Sequence, residues 1–494
     1  MLKKLIIAHI FLALIRIFYV LSGHIDLSTE EAQYWLWSKH LDWSYYSKPP
    51  LIAYMNALST SILGDTEIGV RINAILIGFV LAMLVFVFTK YLFKDEKMAL
   101  FSSFFIYGFY TYDFASIIFL TDTPLVLFWV LTSFYFYRSI EENRKKDWSL
   151  TGVYAGLGFL SKYSMVFFLP VALIYSFFRK REIFKEKWFY ISILIASLFT
   201  LPVIIWNFQH DFVTFKHVGH LEGANIKEVT FSKSLQQMGD YIAGQIAINS
   251  IFLFPFVIYA FYRGFRDRKD NRIFYLWIPA VFVFLVFLYI SHKKRVEANW
   301  PAFAYLTFYI LVYFYIHTKR WFRSAFILFT LSLFTVITLF YTPILDKIGA
   351  GNLLPPKKDP TKRLVGWKAL GKKVTEIRQS LGTDKNFIFS HSYHIASEMA
   401  FYVKGHPKTY CINLGRRMNQ FDLWDSIKKF EGKKGYYGIY VSDKPIDKRV
   451  LKGFEKLEKS YVFPVIYRGE VVRTHYIYVL KNLIHIKEEK IRSF

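Results

Sequence analysis

The sequence predicts a mainly α-helical, polytopic membrane protein with about eleven transmembrane helices and a small α/β domain at its C-terminal end. Three observations carry that prediction. Of 494 residues, 54% are hydrophobic and 20% aromatic, more than a soluble globular chain needs. The apolar residues fall in runs near the roughly 20 residues that a membrane-spanning helix requires, with the charges gathered between them. After Tyr341 the runs shorten and Lys, Arg, Gly and Asp spread evenly, which marks a boundary between residues 1–341 and 342–494.

In chain order the candidate spans are 5–21, 69–90, 98–117, 124–138, 148–160, 165–178, 188–206, 246–262, 273–290, 300–316 and 322–341. The first follows Met1-Leu2-Lys3-Lys4 and resembles a signal peptide, but no small-residue cleavage site follows it, so it reads as a retained helix. The fifth and sixth, separated by Ser161-Lys162-Tyr163-Ser164, read as a broken or tilted pair. With the N-terminus in the cytoplasm, the inside segments carry 22 Lys and Arg and the outside loops nine. The positive-inside rule therefore favours this orientation, and an odd span count leaves the C-terminal domain outside. The expected location is a bacterial inner membrane, with residues 342–494 periplasmic.

Two outside loops, 22–68 and 207–245, exceed the length of plain connectors. The first carries Glu30-Glu31-Ala32-Gln33-Tyr34-Trp35-Leu36-Trp37 at helical spacing. It is expected to lie in the membrane interface, as Trp-rich amphipathic segments do. The second is polar and His-rich. The last 150 or so residues alternate between helix and strand patterns. Helices are expected at Gly366–Leu381, Ile395–Val403 and Asp447–Lys459. Strands are expected at Asn386–Ser390, Lys408–Ile412 and Tyr436–Ser442, followed by a hairpin on Val462–Tyr467 and Tyr476–Leu480. The single cysteine, Cys411, excludes an intramolecular disulfide and reads as core filling.

Several groups could carry chemistry. Glu30 and Glu31 follow Ser28-Thr29 at a helix start, where the plain alternative is a cap with acids favouring the positive end. Lys162 lies at an outer helix end among apolar residues, a position usually reserved for function, although snorkelling would also place it there. His292, Lys293, Lys294 and Arg295 form a basic cluster on the side where positive charge is scarce, which suits an anionic ligand or lipid headgroup or a solvated loop. A divalent metal is a candidate cofactor through His210, His217, His220, Asp211 and Glu222, whose spacing matches no tight ligand motif.

The chain also resembles a known family. Asp26-Leu27-Ser28-Thr29-Glu30-Glu31-Ala32-Gln33-Tyr34-Trp35, then Trp43-Ser44-Tyr45-Tyr46-Ser47-Lys48-Pro49-Pro50-Leu51, is similar to the first-loop signature of bacterial GT-C glycosyltransferases. These are relatives of the protein O-mannosyltransferases and of the enzyme that adds aminoarabinose to lipid A. More of the pattern follows in order: Gly69-Val70-Arg71, Thr121-Asp122-Thr123-Pro124-Leu125, Gly156-Leu157-Gly158-Phe159-Leu160-Ser161-Lys162-Tyr163, Trp206-Asn207-Phe208-Gln209-His210-Asp211 and Val296-Glu297-Ala298-Asn299-Trp300-Pro301-Ala302. Residues 10–310 carry the resemblance, with a looser match over Gly415 to Trp424.

The resemblance implies an inverting transfer of a sugar from a polyprenyl-phosphate donor. A first-loop carboxylate would act as general base and cations would stabilise the leaving phosphate. Glu30 aligns with the usual base position, where the family carries Asp. Glu31, Asp26 and Asp122 are the alternatives, and Asp122 could instead bind a sugar. Lys48 and then Lys162 are the expected phosphate ligands, with Arg71, Lys293 and Arg295 on the same side. Lipid A or another outer-leaflet glycolipid is the first acceptor choice, ahead of a protein hydroxyl. The C-terminal domain has 30 Lys and Arg against 15 Asp and Glu, which suits an anionic membrane surface. Nucleic acid is excluded by the compartment. The rival from another class is a lipid-linked sugar transporter.

Overall fold

A computed structural model describes residues 2–222 and 230–489, excepting the side chains of 220–222. The helical part runs in order through α1 (Leu2–Leu21), α2 (Thr29–Ser38), α3 (Leu51–Leu63), α4 (Glu67–Phe93), α5 (Glu96–Phe105), α6 (Tyr110–Ala115), α7 (Asp122–Glu142), α8 (Lys145–Ser161), α9 (Phe168–Arg179), α10 (Lys187–Leu198) and α11 (Leu201–Gln209). It continues with α12 (Val213–Glu222), α13 (Phe231–Ile248), α14 (Phe254–Arg266), α15 (Asn271–Lys293), α16 (Tyr305–Thr318), α17 (Phe322–Phe340) and α18 (Pro343–Lys347). Among the described residues five helices are long and apolar enough to cross a membrane: Leu2–Leu21, Glu67–Phe93, Lys187–Gln209, Asn271–Lys293 and Phe322–Phe340. Their outward faces display Phe11, Phe18, Leu194, Phe326 and Phe334, side chains that lipid solvates and water does not. Close approach of α8 to α10 depends on small residues, as in other membrane helix pairs. A Cβ at Gly152 would lie 2.5 Å from the Ser192 carbonyl oxygen.

Two expected spans are broken. Instead of one helix over 98–117, α5 gives way to a 3-10 turn at Ile106–Gly108 and extended backbone at Phe109 before α6. That break sets Asp113 against Arg16 of α1, 2.5 Å away, so two charges inside the helical layer compensate each other. The span expected over 246–262 is interrupted at Asn249 and Ser250, where Ser250 takes a positive φ of 66°, so α13 and α14 are separate helices. The fifth and sixth spans are a broken pair, parted by Lys162 in an extended conformation and a 3-10 turn at Tyr163–Phe167.

The C-terminal part comprises α19 (Trp367–Ser380), β1 (Asn386–Ser390), α20 (Tyr393–Tyr402), β2 (Thr409–Cys411), β3 (Tyr437–Ser442), α21 (Lys448–Lys452), β4 (Phe454–Tyr467) and β5 (Glu470–Leu483). The sheet order is β2-β1-β3-β5-β4. β1 pairs in parallel with β2 and β3, while β5 runs antiparallel to β3 and β4. The helix expected over Asp447–Lys459 stops at Lys452, because Gly453 follows and residues 454–467 are drawn into the long hairpin with β5. Phe454, Leu457 and Tyr461 keep helix spacing, but Tyr461, Phe463 and Val465 alternate with exposed residues at the two-residue period of a strand.

The helix of the first outside loop is covered by protein and does not present its Trp-rich side outward. Residues 31–38 of α2 are buried within protein, because α20 of the C-terminal part covers them. Trp35 meets Phe401 edge-on at 4.9 Å between centroids, and Trp37 stacks on Tyr45 at 4.5 Å. Aromatic pairs of this geometry add to the hydrophobic gain of burying their area.

Candidate functional site

The site begins at the N-terminus of α2. Ser28 caps the helix by accepting from the Glu31 amide at 3.2 Å, and Glu31 Oε2 accepts from the Ser28 amide at 2.9 Å. This reciprocal pair is a capping box. The same carboxylate is fully buried against Arg71 of α4, whose Nε and terminal nitrogen donate to its two oxygens at 2.9 Å each. Glu31 Oε1 also accepts from the Phe119 amide at 3.0 Å, and Arg71 donates further to the carbonyls of Ile25 and Asp26. Every strong valence of the pair is used. This corrects two expectations: Glu31 has no room to serve as a base, and Arg71 has no free face for a phosphate. Asp26 is likewise occupied, accepting from the amides of Trp367 at 2.7 Å and Lys368 at 3.3 Å at the start of α19, where a carboxylate favours the helix dipole.

Glu30 is different. One residue along, it points away from the buried face and is exposed. Among the described residues its carboxylate accepts only from the Thr29 hydroxyl, at 3.1 Å, and pairs with no cation.

Lys48 is held by a turn in which the Tyr45 amide donates to its carbonyl at 3.1 Å, and Pro49-Pro50 then start α3. Its ammonium makes no ion pair among the described residues. Burial, with Lys162 and Arg417 nearby, lowers Lys48 to about 8, while Asp122 and Glu30 pull in the other direction. Lys162 donates to Asp122 Oδ1 at 2.8 Å, with about a tenth and a fifth of the two side chains exposed. Asp122, in the first turn of α7, and Lys162, at the end of α8, thus form a mutually compensated pair beside an uncompensated Lys48.

The second outside loop and the C-terminal part close over this face. Trp206 donates to Asp42 at 2.7 Å, and Thr214 donates to the Tyr45 carbonyl at 3.3 Å. The Tyr46 amide donates to Gln420 Oε1 at 2.7 Å, and Met418 packs with Tyr46, Trp206 and Val213. His394, at the start of α20, feels the charges of Glu30, Arg417 and Arg363, and burial holds its imidazole below the ordinary range. His394, Arg417 and Arg363 went unrecognised in the sequence. The available signal was Arg416-Arg417 inside the weak match at Gly415 to Trp424.

Other expected residues are not brought to this face. Arg295 is largely exposed and lies 3.5 Å from Glu297, and Lys293 lies over the Tyr289 ring. Neither is among the charges that act on Lys48. His210 stacks on Trp206 at 4.0 Å between centroids and bonds to its carbonyl, while His217 packs on Tyr46. The side chains of His220 and Glu222 lie outside those described. Among the described residues no three His, Cys, Asp or Glu side chains converge as a metal site would need. Below Lys162, an apolar cavity of about 200 Å³ opens between α8, α9 and α10, lined by Phe159, Met165, Val166, Leu169, Phe189 and Ala196 among others.

Residues 47–206 match the family described as dolichyl-phosphate-mannose-protein mannosyltransferase. A lipid A galacturonosyltransferase, RgtD, of Rhizobium johnstonii is 28% identical over 289 residues, 58% of this chain and 60% of that protein. An undecaprenyl phosphate-alpha-4-amino-4-deoxy-L-arabinose arabinosyl transferase of Pectobacterium carotovorum is 23% identical over 292 residues, 55% of this chain and 50% of that one. The chain therefore spans between half and three-fifths of the length of these curated relatives. The crystal structure of ArnT from Cupriavidus metallidurans superposes with a TM-score of 0.66 in its apo state, over 97% of this chain and 98% of that one, at 11% identity. The same protein bound to undecaprenyl phosphate superposes with 0.68, over 96% and 97%, also at 11% identity. At that identity the likeness is one of fold. The fold, the ordered first-loop motifs and these relatives together make the chain similar to glycosyltransferases of the GT-C superfamily.

Proposed function

We propose that this chain is an inverting glycosyltransferase that moves a sugar from a polyprenyl-phosphate donor to an outer-leaflet acceptor, lipid A or another glycolipid. The observation that carries the reading is the contrast at one face of the protein. Glu30 is an exposed carboxylate without a cation, and Lys48 is a half-buried ammonium without an anion. A base and a phosphate ligand both need such free valences. In the reaction Glu30 takes the proton of the acceptor hydroxyl as its oxygen attacks the anomeric carbon. The bond from that carbon to the phosphate oxygen breaks, and its electron pair leaves with the polyprenyl phosphate. Lys48, with Lys162 behind it, stabilises the charge that develops there, and Asp122 orients Lys162. The apolar cavity beginning at Phe159 and Met165 suits the first isoprene units of the donor.

The transferred unit is a hexose or a pentose. The relatives named above act on galacturonic acid and aminoarabinose by their names. Residues 1–341 form the membrane domain and 342–494 an extracytoplasmic domain that closes over the site, in a bacterial inner membrane with the N-terminus cytoplasmic. A second reading, transfer to a protein hydroxyl, is favoured by the family description over residues 47–206. The decisive experiment supplies purified protein with a labelled polyprenyl-phosphate sugar and either lipid A or a Ser/Thr peptide. Label on lipid A, identified by mass spectrometry, is expected. Label on the peptide alone would select the second reading, and passage of intact donor across a vesicle without cleavage would make the protein a transporter. For orientation, Lys444→Cys in a Cys411→Ser background should react with an impermeant thiol reagent in intact spheroplasts. Labelling only after lysis would reverse the topology.

A further inference from the structure

A second apolar cavity, of about 210 Å³, lies where α1, α6 and α17 meet the segment that leads into the C-terminal part. From its wall we infer a binding site for a hydroxylated acyl chain with an anionic head group. The site shares no lining residue with the cavity below Lys162, and the inference is independent of the proposed transfer reaction.

Phe114, Val336, Leu339, Phe340 and Leu364 make the wall apolar. Its polar side chains are answered with one exception. Tyr19 donates to the Phe340 carbonyl at 2.7 Å, Tyr110 and Thr335 share a hydrogen bond at 2.5 Å, and the Thr361 hydroxyl donates to Asp359 at 2.6 Å. Asp113 is the one charged residue of the wall among those described, and it is 5% exposed. Its Oδ1 accepts from Arg16, while its Oδ2 is buried and accepts no hydrogen bond among the described residues. An acceptor left in that state is costly in apolar surroundings. Arg16 already balances the charge, and a second cation would leave the pair net positive inside the helical layer. The donor that fits is therefore neutral, and a hydroxyl is the neutral donor that an apolar chain can carry.

The neighbouring sequence sets the direction of the chain. Pro360, Thr361 and Leu364 line the cavity, and the same segment carries Lys357, Lys358, Lys362 and Arg363. Among the described residues Lys358, Lys362 and Arg363 pair with no carboxylate, and Lys362 donates to the Lys357 carbonyl instead. A basic rim of this kind suits an anionic head group. Arg16 lies five residues before Leu21, the end of α1, which is roughly 7–8 Å along a helix. Asp113 is thus a few methylenes below the rim, so the hydroxyl belongs near the head of the chain. Phe114 remains 46% exposed, so the cavity borders the surface that lipid covers. A membrane glycolipid or a free hydroxy fatty acid could supply such a chain.

The test uses the full chain in lipid nanodiscs and two photoreactive phosphatidic acids that differ in one chain, 3-hydroxytetradecanoyl or tetradecanoyl, each with a diazirine at the chain end. The hydroxylated probe should label peptides that hold Asp113 or Val336 to Phe340. It should do so roughly tenfold better than the plain probe at limiting concentration, the scale of one hydrogen bond to a charged group. A diacylglycerol with the same hydroxylated chain should label several-fold less, because it lacks the anion. Leu339→Trp, which fills the cavity, should remove the labelling, and the comparison of chains in wild type stands whether or not that variant folds. Competition by unlabelled lipid A or by free 3-hydroxytetradecanoic acid tells the two sources apart, since the true one displaces the probe at lower concentration. Equal labelling by the two chains would overturn the inference and leave Oδ2 to water. Labelling spread evenly over the lipid-facing helices would overturn it too, as would labelling that survives in a folded Leu339→Trp. Equal labelling by the diacylglycerol would remove the anionic head group.

Discussion

Two charged constellations lie side by side at the start of α2, and they are built on opposite terms. Glu31 and Arg71 are fully buried, bidentate and supplied with four backbone partners. Glu30, Lys48 and Arg417 are half-buried or exposed and share no bond among the described residues. Burying an ion pair is costly unless every valence is met, and the first constellation meets them. The second leaves its valences open at an edge that the C-terminal part encloses. Satisfied charges hold the chain together, and unsatisfied ones add nothing to it, which is why the proposed function rests on them.

The largest effect should come from Glu30→Gln. It keeps size and removes the proton acceptor, so transfer should fall by about 10² to 10⁴-fold with the melting temperature unchanged. Near-normal transfer by this variant would collapse the contrast between the two acids. Arg71→Met should do the reverse. It strands the buried Glu31 carboxylate, which costs about 3–5 kcal/mol of stability, visible as a lower melting temperature in fluorescence-detected chromatography. If Arg71→Met melts like wild type, the pair is not the scaffold described above.

Lys48 supplies a pH test. Its folded value of about 8 lies below the ordinary lysine range, so the charged form is lost as pH rises through about 8. For the free enzyme kcat/KM should therefore drop about tenfold per pH unit above that point, while kcat, measured with the phosphate bound, holds to higher pH. Lys48→Arg should move the kcat/KM limb upward, and an unmoved limb would assign it to another group. The smallest effect is expected from Asp26→Asn, which weakens the cap on α19 without exposing it. A loss of about 1 kcal/mol should appear in thermal unfolding, with donor use retained.

Much of the fold was legible because membrane helices announce themselves by apolar length, and the C-terminal strands by alternation around Asn386–Ser390 and Tyr437–Ser442. Breaks within apolar runs were not. Nothing in the local pattern at Gly108-Phe109 signals a turn, because the reason for it is Arg16, nearly a hundred residues earlier. The helix placed over Asp447–Lys459 failed for a similar reason, since pairing with β5 outweighs the local preference of residues 454–459. At the candidate site, the ordered motifs pointed to Lys48 and Glu30, neither of which has an ion-pair partner among the described residues. Glu31 was recoverable as well, since Ser28-Thr29-Glu30-Glu31 has the Ser-x-x-Glu spacing of a capping box.

The sequence by itself determined a multi-helix membrane protein and a first loop carrying two acids and a Lys-Pro-Pro turn. Apolar length and short motifs are local properties and survive in one dimension. Which acid stays free was decided only by the tertiary structure. Successive residues on a helix point about 100° apart, so Glu31 faces α4 and meets Arg71, forty residues on, while Glu30 looks out. The same holds for Met418 and Gln420, which meet Tyr46 across more than 370 residues of chain. Charge pairing is a long-range choice, and it separates the charges that support the fold from those left unpaired.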